Sequence, residues 1–169
     1  MFLRQVAMTF TITAILLAAA LALMMLAAAI SDLRSRSIAN GLNVAIAALA
    51  IPYWFANGLP LWPGVAIQIG FALLIFAVFL GLYMIGGMGG GDVKMIGAVA
   101  LWIPPMLLMP MLMIMAAGGG LLSLAMLIHQ KWRGQAEPPE VPYGVAIAAG
   151  GLWALHQQYL NQFTFNPFA

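Results

Sequence analysis

Residues 6–40 read VAMTFTITAILLAAALALMMLAAAISDLRSRSIAN. No side chain between Val6 and Ile30 carries a formal charge, and the run exceeds the roughly 20 residues that cross a bilayer as a helix. It is also longer than the apolar core of a secretory signal, and the chain stays apolar after it. The expectation is a first membrane helix kept in the mature protein. Directly behind it stand an aspartate, Asp32, and two arginines, Arg34 and Arg36, within a polar segment from Ser31 to Asn40.

The same alternation of apolar runs and short polar breaks continues along the chain. The 169 residues are 64% hydrophobic and 6% charged, too little charge to cover the surface of a soluble domain. Further helices are predicted over Leu42–Phe55, Val65–Ile85, Val93–Ile103, Met106–Ile128 and Val141–Tyr159. They are separated by an Asn57–Gly64 turn, a glycine-rich loop from Gly86, the Pro104-Pro105 breaker and a polar loop from His129 to Glu140. The fourth helix is too short to span a bilayer alone, so it must be shielded by protein or tilt into a cavity. An aromatic tail, Asn161–Ala169, is expected at the interface. The fold class is therefore all-α: one polytopic domain over residues 1–169, with about six transmembrane helices. Placing both termini outside the cytoplasm puts Arg34, Arg36, Lys94, Lys131 and Arg133 inside and leaves only Arg4 outside, as the bias of basic residues toward cytoplasmic loops requires. The net charge is +2 and there is no basic run suited to nucleic acid. The absence of cysteine excludes thiolate chemistry and cysteine zinc sites.

The two aspartates, Asp32 and Asp92, both fall at predicted cytoplasmic helix ends, at similar depth. Acidic groups so close to a membrane core are costly and suggest function. Capping accounts for either one alone: Asp32 at an interfacial segment, Asp92 at the start of the fourth helix. Capping accounts less well for Gly89, Gly90 and Gly91, which lead directly into Asp92. Glycines let the backbone come close to another chain, and an extended substrate can pair with backbone exposed in this way. Two neighbouring carboxylates share one proton; the ionised one takes a proton from water while the protonated one polarises a peptide carbonyl. Such a pair needs no metal and no cofactor, and none is expected. Helix dipoles favour negative charge on Asp92, at a helix start, over Asp32, expected just past a helix end.

Asp32 to Asn40 resembles the first aspartate motif of type IV prepilin peptidases. Gly89-Gly90-Gly91-Asp92-Val93-Lys94 is similar to their Gly-x-Gly-Asp-x-Lys motif, and Val141-Pro142-Tyr143-Gly144 resembles the element that opens their last helix. Ala39 stands where that family usually has proline. The resemblance implies an inner-membrane aspartyl endopeptidase with Asp32 and Asp92 as the catalytic pair. Gly89, Gly90, Gly91, Lys94 and Asn40 would shape the site or bind substrate. The implied partners are the bilayer and a prepilin, a membrane helix with a basic leader that is cut at the cytoplasmic face. The absence of cysteine and of a cytoplasmic insertion is similar to the short form associated with Flp-type tight-adherence pili, which implies peptidase activity without N-methyl transfer.

Other residues carry less. Lys94 has two readings: tuning the site or meeting an acidic group on the pilin, and anchoring to lipid headgroups. Glu137 and Glu140 fit a solvated loop better than a docking site for a basic leader. His129 and His156 read as interfacial residues, and the 13 methionines as gap-fillers between helices. Two rival functions use the same residues: a small proton-coupled transporter with Asp32 and Asp92 as carriers, and a non-catalytic pilus-assembly subunit. A transporter commonly shows repeated halves, and none is evident.

Overall fold

The structure, a computed structural model, describes the backbone of residues 2–133 and 141–164 and the side chains of 11–133 and 141–160. The described residues form six helices and no strand: α1 (Phe2–Ser35), α2 (Asn40–Ala56), α3 (Ala66–Met84), α4 (Gly90–Ala100), α5 (Pro105–Arg133) and α6 (Tyr143–Thr164). Helix number and order agree with the sequence reading. The boundaries differ in ways that matter. α1 continues through Ser35, so Asp32 lies inside its final turns and not in a polar segment beyond it. α5 takes in His129 to Arg133. α6 runs into the start of the expected tail. The loop with Glu137 and Glu140 and the segment 165–169 lie outside the described residues.

Among the described residues, three stretches are long and apolar enough to cross a membrane: Thr11–Ser35, Leu61–Met84 and Pro105–Arg133, with mean hydropathies of 2.5, 2.6 and 2.2. α2 is apolar but shorter. The expectation of about six spans is thus met by length and composition in three helices, and the physical reason lies in the packing. α4 sits against α2, α3 and α6, while α6 sits against α1, α4 and α5. These two inner helices are screened by protein and need less apolar length of their own. The outer helices turn large apolar side chains outward, among them Leu16, Leu23, Leu74 and Met109. Water would not tolerate so extensive an apolar surface, but hydrocarbon does.

The inner helices approach closely where side chains are small. A methyl group at Gly150 would lie 2.8 Å from the Met111 carbonyl oxygen of α5, and one at Gly151 would lie 2.6 Å from Met25 Sδ of α1. Small residues at such contacts are the usual means of bringing membrane helices together. Leu21, Met25, Ile96, Val99, Met111 and Ile147 fill the centre and are almost fully buried.

α4 has 11 residues, about 16 Å at 1.5 Å per residue, against a hydrocarbon thickness of about 30 Å. Its C-terminal carbonyls therefore end inside the bundle, where water cannot satisfy them. Side chains do so instead. Gln68 Nε2 donates to the carbonyls of Ala100 (2.9 Å) and Ile103 (2.7 Å). Trp54 Nε1 donates to the Leu101 carbonyl (2.8 Å). Trp102 in turn donates its indole N–H to the Ile46 carbonyl of α2 (2.8 Å) and stacks at a tilt on Tyr53.

Replacing Gln68 by leucine keeps the volume but strands two buried acceptors. Gln68→Leu is expected to lower stability by about 1–3 kcal/mol, seen as a lower thermal midpoint of the purified chain in detergent. Leu74→Ala, on the outer face of the same helix, should shift it by less than about 0.5 kcal/mol. Equal midpoints for Gln68→Leu and the unaltered chain would show that these bonds do not hold the end of α4.

Candidate active site

The stretch from Ser31 to Ile38 builds the first half of the site. α1 ends because Arg36 adopts a left-handed backbone, φ 53°, with its N–H donating to the Asp32 carbonyl (2.9 Å). That conformation costs a non-glycine residue about 1 kcal/mol or more. A serine network holds it in place. Ser31 Oγ donates to the Ser37 carbonyl (2.8 Å), Ser35 Oγ donates to the Ser31 carbonyl (2.9 Å), and the hydroxyls of Ser35 and Ser37 lie 3.0 Å apart. The reversal buries Ile38 and leads through Ala39 into α2. Ala39 has φ −61° and ψ 132°, close to the φ that a proline ring fixes. The departure from the family pattern at Ala39 therefore leaves the turn's backbone as proline would set it.

The glycine run builds the second half. Gly86 takes φ 76° just after α3, and its N–H and that of Gly87 donate to the Tyr83 and Leu82 carbonyls (2.9 Å each). The chain turns back as α4 begins at Gly90, which puts Asp92 in the first turn. Gly91 packs on Ile38, where a methyl group would lie 3.4 Å from the Ile38 amide nitrogen. Asn43 Nδ2 donates to the Gly91 carbonyl (3.2 Å), and Lys94 Nζ donates to Asn40 Oδ1 (2.8 Å). Two of these ties join α2 to the start of α4, and all three fix the depth of Asp92.

Asp32 and Asp92 are 4% and 8% exposed, yet together they line two adjoining cavities. One, of about 440 Å³, is bounded also by Arg36, Gly86 to Gly89, Val141 and Tyr143. The other, of about 190 Å³, is bounded also by Arg36, Ser37, Ile38, Asn40 and Gly89 to Gly91. Of the residues singled out from the sequence, Asp32, Asp92, Gly89, Gly90, Gly91 and Asn40 meet at these cavities. Lys94 touches the group through Asn40.

One residue escaped the sequence reading. The Gly144 N–H, in the first turn of α6, donates to Asp32 Oδ2 (2.8 Å). Asp32 therefore faces a helix start as Asp92 does, and helix dipoles do not separate the two as the sequence suggested. A methyl group at Gly144 would lie 2.8 Å from Asp32 Oδ2 and 2.9 Å from Ile38 Cδ1, so glycine is the side chain that fits. The motif Val141-Pro142-Tyr143-Gly144 was the available signal, but the 112 residues between donor and acceptor hid its target. Asp92 Oδ1, by contrast, is buried without a partner.

These features define a helical membrane protein with two buried carboxylates brought together from separate helix ends. A model of the type IV leader peptidase family matches residues 19–124, a span that includes both aspartates. The chain belongs to the type IV leader peptidase family, and the activity that goes with it is peptidase activity. No curated protein and no solved structure matches the chain.

Gly144→Ala is expected to displace the Asp32 carboxylate or the α6 start and to lower peptidase activity by about 100-fold, the effect of an ångström-scale misplacement at a reacting group. Gly120, where a methyl group would meet open space, serves as the control: Gly120→Ala should retain normal activity. Full activity in Gly144→Ala would remove the amide from any role at the site.

Proposed function

We propose that the chain is an aspartyl prepilin peptidase. It removes the basic leader of a Flp-type prepilin at the cytoplasmic face of the inner membrane and transfers no methyl group. The observation that carries this reading is the meeting of Asp32 and Asp92 at the same two cavities, within a chain of the leader peptidase family. Two carboxylates lining one buried cavity do not both ionise cheaply, so the pair holds one proton. The ionised member takes a proton from water, and the resulting hydroxide adds to the scissile carbonyl carbon. The protonated member hydrogen-bonds the carbonyl oxygen as charge develops there. The tetrahedral intermediate then collapses, the C–N bond breaks, and the leaving nitrogen receives a proton from the pair. Hydrolysis leaves a carboxyl end on the leader and an amino end on the pilin. The glycine loop, beside both carboxylates, offers backbone for an extended substrate to pair with, and Lys94 and Asn40 support its position.

The cytoplasmic placement rests on basic residues. Arg34, Arg36 and Lys94 lie near the aspartates in the chain, and Lys131 and Arg133 end α5.

Co-expression with a Flp-type prepilin is expected to give the mobility shift of leader removal, and Asp32→Asn and Asp92→Asn should each slow it by about 10²-fold or more, as loss of a general acid or base does. Normal processing by either variant would overturn that residue's assignment. Labelled S-adenosylmethionine should leave the processed pilin unlabelled.

The cysteine-free sequence makes the orientation testable. Arg34→Cys should react with an impermeant thiol reagent only from the cytoplasmic side, and Trp62→Cys, 81% exposed before α3, only from the opposite side. The reverse pattern would invert the topology.

A further inference from the structure

A third recess, of about 420 Å³, lies between α2 and α3 with α4 as its floor. α2 and α3 each pack on α4 but share no comparable packing with one another, so the groove faces the bilayer. Its rims are apolar and outward: Val44 on α2 is 66% exposed and Leu73 on α3 is 62% exposed. Its floor is formed by the small residues Gly97 and Ala98, with the Phe76 side chain of α3 lying against Gly97.

The end of the groove nearest the aspartates is polar. Asn43, 5% exposed, lines it and holds the Gly91 carbonyl with Nδ2, but Asn43 Oδ1 is buried without a partner. A buried acceptor left unpaired in hydrocarbon costs stability and calls for a donor. An acyl chain has no donor, whereas the first turn of a polypeptide helix carries backbone N–H groups without intrahelical partners. The groove also continues into the catalytic region, because Asn40 lines both this groove and the smaller aspartate cavity. The Lys94–Asn40 hydrogen bond stands at that junction.

We propose that this groove seats the apolar segment of the substrate polypeptide next to the scissile bond, which arrives sideways from the bilayer between α2 and α3. The inference rests on the leader-peptidase reading above and adds the face by which the substrate reaches the site. Asn43 then has two tasks. Nδ2 fixes Gly91, and with it the start of α4 at Asp92, while Oδ1 accepts from the substrate backbone. Apolar side chains at the rim select a hydrophobic segment, and the Lys94–Asn40 pair marks where that segment gives way to the extended stretch that is cut.

The test places a photo-crosslinking residue at position 44 or 73 of the full chain carrying Asp92→Asn, co-expressed with a Flp-type prepilin. Position 16, 64% exposed on α1, is the control. Prepilin adducts are expected at 44 and 73 and not at 16. In the otherwise unaltered chain, Val44→Trp and Leu73→Trp are expected to raise KM by about 10-fold or more, as obstruction of a hydrophobic pocket does, with kcat retained. Leu16→Trp should change neither constant. Adducts to phospholipid alone at 44 and 73, equal prepilin adducts at 16, or unchanged KM in both tryptophan variants would each overturn the groove assignment. Failure of the unaltered chain to cut prepilin would instead overturn the peptidase reading, while the crosslinks still decide whether the groove takes this polypeptide.

Discussion

The rest of the structure depends on the polar cap of α4. Hydrocarbon supplies no hydrogen bonds, so a helix that stops within the membrane bundle exposes carbonyls that nothing outside it can satisfy. α4 stops after 11 residues, and Gln68 and Trp54 take up carbonyls at and just beyond its end, those of Ala100, Leu101 and Ile103. Because its far end is satisfied in place, α4 can be short, and its near end can sit below the surface of the bundle. That near end carries Asp92. A full-length α4 that met water at both ends would need no such cap and would not hold its first-turn aspartate 8% exposed among neighbouring helices.

The paired carboxylates follow from a second constraint of the same kind. Asp32 comes from the end of one helix and Asp92 from the start of another, and both ends carry backbone groups without intrahelical partners. The Gly144 amide is such a group, from the start of a third helix, and it is spent on Asp32. Three helix ends thus converge on one pair of cavities, with the serine network of Ser31, Ser35 and Ser37 holding the tightest reversal. Glycine at 144 lets the α6 backbone reach the carboxylate, and the contact of Gly91 with Ile38 brings the two aspartate segments together. Close backbone approach, more than added side-chain bonding, makes the pair.

Much of this was legible in the sequence because its signals are local. Apolar runs, the Pro104-Pro105 break, the glycine loop and the two aspartates beside polar stretches all act over a few residues. The short α4 and its need for shielding followed from the same signals. What stayed hidden depends on long separations or on conformations that the sequence does not announce. Gln68 lies in the apolar run of α3, 32 residues from its first acceptor, and nothing local marks it as a cap. Gly144 is 112 residues from Asp32. α1 runs past the polar residues at which the sequence predicts its end, because the usual sign of a helix stop, glycine in the left-handed region, is absent; Arg36 takes that conformation instead. Six helices are present among the described residues, yet three have the length and apolarity to span, because burial of α4 and α6 by their neighbours is a tertiary fact.

A hydrolytic site in a membrane has to reconcile water with an apolar substrate. This chain separates the two by position around the start of α4. On one side, the aspartate cavities are lined by Arg36, Ser37, Asn40 and the glycine loop. On the other, the groove between α2 and α3 is lined by apolar side chains except at the end near Asn40, Asn43 and Lys94, and faces lipid. Asn40 belongs to both, and the Asn43 hydrogen bond to Gly91 ties the groove wall to the residue before Asp92. An apolar segment can therefore stay in an apolar setting while the residues beside it reach the polar side. On α4 the two settings are offset by little more than one helical turn, Asp92 in the first turn and the groove floor at Gly97 and Ala98.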